Sequence, residues 1–161
     1  KEQILATLKA VIKTKHNSII IGPNMDAGNN SINKTIKKYL KNNSLKFFKS
    51  LPREDYLGLL KNCKLLIGNS SSGIIESTVF KIPVINIGDR QKGREQGPNV
   101  INVKNFSQKN ILESLSKSLS MNKTNLRIKN IYGNGMAAEK IVKYLEKINI
   151  DQRLLKKEIR Y

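Results

Sequence analysis

Five short runs rich in apolar residues punctuate the chain: SIIIG (18–22), LKFFKS (45–50), KLLIG (64–68), IPVINIG (82–88) and VINV (100–103). Between them the apolar residues recur every three to four positions. A run that is apolar at consecutive positions has no polar side to give to water, so it reads as a strand covered on both faces. Helices between such strands supply the cover, and the strands then run parallel. The expected fold is therefore α/β, a Rossmann-like doubly wound parallel sheet.

The helical segments carry their own signals. Residues 2–14 place Ile4, Leu5, Leu8, Val11 and Ile12 on one face. Ser31 is the expected cap of INKTIKKYLKN, Pro52 suits the first turn of REDYLGLLKNC, and Ser107 is the expected cap of SQKNILESLSKSLS. A short helix, GIIESTVF, should follow the serines at 70–72, and another covers about 138–148. The expected division is a domain over 1–149 and a basic helical tail over 150–161.

In sheets of this kind ligands bind beyond the carboxyl ends of the strands. The loops in question are 22–30, 50–53, 69–72, 88–99 and 103–106, and three of them concentrate polar chemistry. In NSSSG, Ser70, Ser71 and Ser72 offer hydroxyls, and Gly73 permits close backbone approach where a helix begins. Helix-terminal N–H groups with hydroxyls beside them suit a phosphate or diphosphate; equally, a lone serine there is an ordinary helix cap. Glu76, one turn on, either steadies the helix dipole or accepts hydrogen bonds from a ribose diol. The loop GDRQKGREQGPN carries Arg90, Lys92 and Arg94 among glycines. Arginine's planar fork matches phosphate oxygens, although such residues are also ordinary solvated surface. In GPNMDAG, Asn24 and Asp26 read first as turn formers. The single histidine, His16, lies among lysines at a helix end, and no acid–base pair or metal-ligand cluster is visible in the sequence. No cofactor or metal is expected.

Composition bounds the rest. With 39% apolar residues over 161 positions, the chain can bury roughly 70% of its unfolded surface. Lys and Arg number 30 against 12 Asp and Glu, a net +18 that attracts polyanions. The lysines are nevertheless spread over helices and loops with no aromatic stacking stripe, which argues against nucleic acid. No run is long enough for a membrane span. One cysteine, Cys63, no disulfide partner and no signal-peptide core in KEQILATLKAVIK point to a reducing cytoplasm.

Taken together, IGNSSSGIIE, PVINIGDRQKGRE and IYGNG resemble the UDP-N-acetylglucosamine 2-epimerases, the hydrolysing sialic-acid-pathway branch more than the non-hydrolysing one. The non-hydrolysing branch usually has Asp-Ser-Gly-Gly where this chain has Asn69-Ser70-Ser71-Ser72-Gly73. The likeness spans about 18–148 and implies the C-terminal half of a two-domain enzyme of GT-B architecture, in which UDP or a UDP-sugar lies between the domains. On this resemblance Ser70 and Ser71 hold the UDP phosphates, Glu76 the ribose and Arg90 the nucleotide. The backbone at Leu51 meets the uracil edge. Asn24, Asp26, Ser72, Gly73, Arg94 and Tyr132 would face the cleft with less specific roles. The resemblance implies elimination of UDP across C1–C2 of the sugar, then hydration to the 2-epimer, with the acid–base carboxylates on an N-terminal domain. It also implies a homodimer. The family's C-terminal domain opens with a strand bearing a histidine, a position His16 does not match, so a first strand is expected to be missing. A GT-B glycosyltransferase donor domain and a basic nucleic-acid-binding module are the alternatives.

Overall fold

The structure is a computed structural model that describes residues 1–23, 28–121 and 130–156. It divides into two compact units, Lys1–Ile131 and Tyr132–Tyr161.

In the first unit the elements run α1 (Glu2–Lys13), β1 (Ser18–Ile21), α2 (Asn29–Tyr39), β2 (Leu45–Phe48), α3 (Arg53–Asn62) and β3 (Leu66–Gly68). A 3-10 turn (Ser71–Gly73) follows, then α4 (Glu76–Phe80), β4 (Val84–Ile87), β5 (Val100–Val103) and α5 (Gln108–Ser120). All five apolar runs are strands, and every pairing is parallel. They form two ladders, β1–β2 and β3–β4–β5, that share one hydrophobic core.

That core joins α1 (Leu8, Ala10, Val11), α2 (Ile36), β2 (Leu45), β4 (Ile85, Ile87), β5 (Val103) and α5 (Ile111, Leu115). The face read from the α1 sequence is the one that packs, with Ile4 and Ile12 at its margin. All four residues of β4 are buried, as a strand flanked by two partners and covered on both faces requires. Its one polar member, Asn86, donates to Asn102 Oδ1 of β5 at 2.7 Å and so satisfies its buried amide.

Of the two serine caps expected here, one changes. Helix α2 begins at Asn29, with Gly28 at its cap in the left-handed region (φ 89°), so Ser31 lies inside the first turn. Its backbone N–H bonds to Gly28 O instead of marking the boundary. Glycine enters this conformation without a Cβ penalty, which lets the chain start the helix earlier. Ser107 does cap α5, accepting from the Asn110 N–H at 3.2 Å.

The second unit carries α6 (Ala137–Leu145) and α7 (Gln152–Leu155). Ile141, Val142, Tyr144 and Leu145 of α6 are all exposed. No helix among the described residues is long and apolar enough to cross a membrane.

Ile85 lies fully buried at the centre of the three-stranded ladder. Ile85→Ala should cost about 2–5 kcal/mol in urea unfolding, and Ile85→Val about 1 kcal/mol. A loss below that for the alanine variant would mean that this strand is not the centre of the core.

Candidate functional site

Parallel strands deliver their following loops to one edge of the sheet, and here two polar loops leave neighbouring strands. β3 ends at Gly68, paired with Asn86 of β4, and the serines follow at once. β4 ends at Ile87 and opens into the loop 88–99. Gly88 makes that exit possible: at φ 79° it takes a left-handed turn, and a Cβ there would lie 2.5 Å from Gln3 Nε2 at the start of α1.

The serine segment is more tightly wound than a plain helix start. Ser70 is exposed, and its Oγ accepts from the Ser72 N–H at 3.3 Å. The Gly73 N–H bonds to Ser70 O, and those of Ile74 and Ile75 to Ser71 O. The helix expected from Gly73 onward therefore begins only at Glu76, because Ser71–Gly73 close a 3-10 turn first. The amides of 72–75 are turned inward, so the donors this segment offers outward come from Ser70, exposed, and Ser71, half-buried. Having accepted from Ser72, the Ser70 hydroxyl still has its own hydrogen to donate.

Ser72 and Gly73 have structural duties. Ser72 is 8% exposed, and its Oγ shares a hydrogen bond with the phenol of Tyr56 on α3. Gly73 is buried where a Cβ would meet Val84 Cγ1 at 3.0 Å, so glycine lets the turn close against β4. Tyr56 was not singled out in the sequence. It lies 16 residues from Ser72, and no local pattern links the two. Burial pushes the Tyr56 phenol up from its usual value of 10.0, the Ser72 hydrogen bond pulls it the other way, and the Glu76 charge adds to the rise. Glu76 itself is half-buried at the start of α4.

In the loop after β4, Arg90, Lys92 and Arg94 are exposed while Gln91 is buried. Turns close it locally, with Lys92 N–H to Asp89 O at 2.9 Å and Arg94 N–H to Gln91 O at 3.3 Å. The Gln91 amide donates to Asn69 O at 2.9 Å. Since Arg90 precedes Gln91 and Ser70 follows Asn69, this one bond sets the arginine and serine loops side by side. Leu51 is half-buried between β2 and α3, and the Pro52 carbonyl accepts from the Tyr56 N–H at 3.0 Å. Asn24 and Asp26 lie outside the described residues, and Tyr132 is exposed in the second unit. His16 is exposed in the turn between α1 and β1, at the opposite edge of the strands. Among the described residues no cluster of three His, Cys, Asp or Glu side chains exists that would hold a metal. The arrangement offers hydroxyl donors, two guanidinium groups and one carboxylate, a set suited to an anionic, hydroxylated ligand.

Comparison with known proteins gives a consistent result. Residues 1–146 match the sequence profile of the UDP-N-acetylglucosamine 2-epimerase family. Over 157 residues the chain is 34% identical to a hydrolysing UDP-N,N'-diacetylbacillosamine 2-epimerase of Legionella pneumophila, covering 98% of this chain and 41% of that protein. Over 104 residues it is 44% identical to polysialic acid biosynthesis protein P7 of Escherichia coli, covering 63% of this chain and 27% of that protein. The fold is that of the crystal structure of UDP-GlcNAc 2-epimerase from Methanocaldococcus jannaschii in complex with UDP-GlcNAc and UDP. The TM-score there is 0.68 at 21% identity, over 91% of this chain and 41% of that one. The chain thus spans about two fifths of the length of these two longer matches, and the doubly wound α/β architecture read from the alternation of strands and helices is the one found.

Because the raised Tyr56 pKa belongs to the folded state, the stability it represents is present below about pH 10 and is lost as pH rises through the folded value. Tyr56→Phe should cost about 0.5–1.5 kcal/mol at pH 7 by removing the Ser72 partner. In urea melts the gap between wild type and variant should narrow above pH 10. A constant gap would show that the phenol does not titrate against this site.

Proposed function

We propose that this chain, which belongs to the UDP-N-acetylglucosamine 2-epimerase family, is the nucleotide-binding half of a hydrolysing 2-epimerase acting on a UDP-2-acetamido sugar. The observation that carries the reading is the pairing of the Ser70–Ser71 loop with the Arg90–Arg94 loop at the carboxyl edge of adjacent parallel strands. A diphosphate seated there would meet hydroxyl donors from one side and guanidinium donors from the other.

In this reading Ser70 and Ser71 hold the phosphates, Arg90 grips the nucleotide, and Glu76 accepts from the ribose hydroxyls. The backbone at Leu51 meets the base. Arg94 would face the same cleft, which a second domain completes. The reaction removes the proton at C2 and breaks the C1–O bond, so that UDP leaves with the electron pair and a glycal remains. Water then adds across the double bond to give the 2-epimer and free UDP. Negative charge gathers on the departing diphosphate, where donors already in place are worth most.

The base that takes the C2 proton would come from the partner domain. Two features support such a division of labour. The ladders β1–β2 and β3–β4–β5 share a core without pairing to one another. A strand entering α1 from a preceding segment would complete that sheet. The exposed apolar residues of α6 suit packing against more protein. The names of the relatives favour an acetamido or diacetamido sugar as substrate. Work in a reducing cytoplasm and a homodimeric enzyme belong to the same proposal.

Calorimetric titration of the chain with UDP, beside CMP and a short DNA duplex, tests the reading. UDP should bind saturably, and Arg90→Ala should weaken it about 10- to 100-fold, the scale of one charge-assisted hydrogen bond. The chain alone should not turn over UDP-N-acetylglucosamine. DNA binding without a UDP signal, or turnover by the isolated chain, would overturn the assignment.

A further inference from the structure

Gln91 stands apart in its loop. Its neighbours Arg90, Lys92 and Arg94 are exposed, yet Gln91 is 3% exposed and reaches back 22 residues to donate to Asn69 O at 2.9 Å. Its backbone carbonyl accepts from the Arg94 N–H at 3.3 Å and from Gln96 Nε2 at 3.4 Å. Gln96 Oε1 in turn accepts from Asn102 Nδ2 at 2.8 Å, and Asn102 Oδ1 from the buried Asn86 at 2.7 Å. A line of amides thus runs from the middle of β4, across β5, through the loop and into the start of the serine turn.

The last residue of the same loop holds the far end of that turn. Asn99 is fully buried and donates to Ser77 Oγ at 3.0 Å and to Ile82 O at 2.8 Å. Ser77 Oγ passes the link on by donating to Gly73 O at 2.7 Å. The residues 70–73 are therefore clamped at both ends by one loop, the loop that also carries the arginines.

The clamp has a cost. Gln91 Oε1 and Asn99 Oδ1 are both buried with no hydrogen-bond partner among the described residues. Stability alone would favour apolar side chains of the same shape, since an unpaired buried acceptor is unfavourable.

We infer that Gln91 is a positioning residue for phosphate binding, its amide holding the serine and arginine loops at the separation a diphosphate needs. The inference rests on the nucleotide-binding reading above and extends it to a residue buried beneath the exposed donors. Donors fixed before the ligand arrives need no reorganisation when it binds, so loosening the clamp should weaken phosphate contacts selectively.

The test uses Gln91→Met, which keeps length and loses the amide, and Gln91→Asn, which keeps the amide and loses its reach. UDP and uridine are titrated by ligand-observed NMR, and backbone amide exchange over residues 70–73 is followed without ligand. UDP affinity should fall about tenfold in both variants, a change of about 1.4 kcal/mol. Uridine affinity should hold, and exchange over 70–73 should quicken while the core stays protected. UDP affinity and exchange equal to wild type would overturn the inference. So would a parallel loss of UDP, uridine and melting temperature, which marks a purely structural role. Absence of UDP binding by the wild type would instead remove the nucleotide reading, and this inference with it.

Discussion

The parallel pairing of β4 with both β3 and β5 is the constraint from which the rest of this molecule follows. Val84, Ile85 and Asn86 each sit between partners, with Leu66 and Val100 opposite Val84, Ile67 and Ile101 opposite Ile85, and Gly68 and Asn102 opposite Asn86. The registers fix where each strand ends, and therefore where each loop leaves. Because the strands are parallel, the serine turn and the arginine loop emerge on the same edge. Because they are adjacent, a single glutamine side chain can bridge them. Ile85 and Ile87 of β4 fill the core with residues of α1 and α5, so the same strand both anchors the fold and sets the site.

The electrostatics of the site depend on side chains more than on helix dipoles. The element after the serines is a three-residue 3-10 turn followed by a five-residue helix, and most of the amides at its front are spent internally. A macrodipole needs aligned peptides over several turns, so little of it is available here. What remains is two exposed or half-exposed hydroxyls and the guanidinium groups of a flanking loop. The net +18 of the chain raises the local concentration of any anion, but it cannot choose among anions. Under the nucleotide-binding reading proposed above, selectivity would fall to the spacing of these few donors.

Much of this was legible in the sequence, and the reasons differ by element. Continuous apolar runs mark all five strands, but cover on both faces is complete only for β4; Ile19 and Ile21 of β1 and Phe48 of β2 are exposed, against the expectation of strands buried on both sides. The two polar loops followed from their position after those runs. The resemblance of NSSSG and DRQKGRE to one family agrees with the family that the comparisons show. What escaped were links between residues distant in the chain. Tyr56 bonds to Ser72, Gln91 to Asn69 and Asn99 to Ser77, and each of these is an ordinary polar residue until the fold brings it to its partner. The cap at Ser31 failed for a local reason, because Gly28 permits an earlier start that a serine rule does not anticipate. The late start of α4 failed for a tertiary one, since the turn before it is closed against β4 through Gly73.

The most direct test of the central claim, that adjacent loops on β3 and β4 form one nucleotide seat, is amide chemical-shift mapping of the labelled chain during titration with UDP. The account predicts that the largest shifts fall together on residues 69–73 and 90–94, with saturation at a common concentration. Shifts spread over the lysine-bearing helices, or confined to one of the two loops, would contradict it.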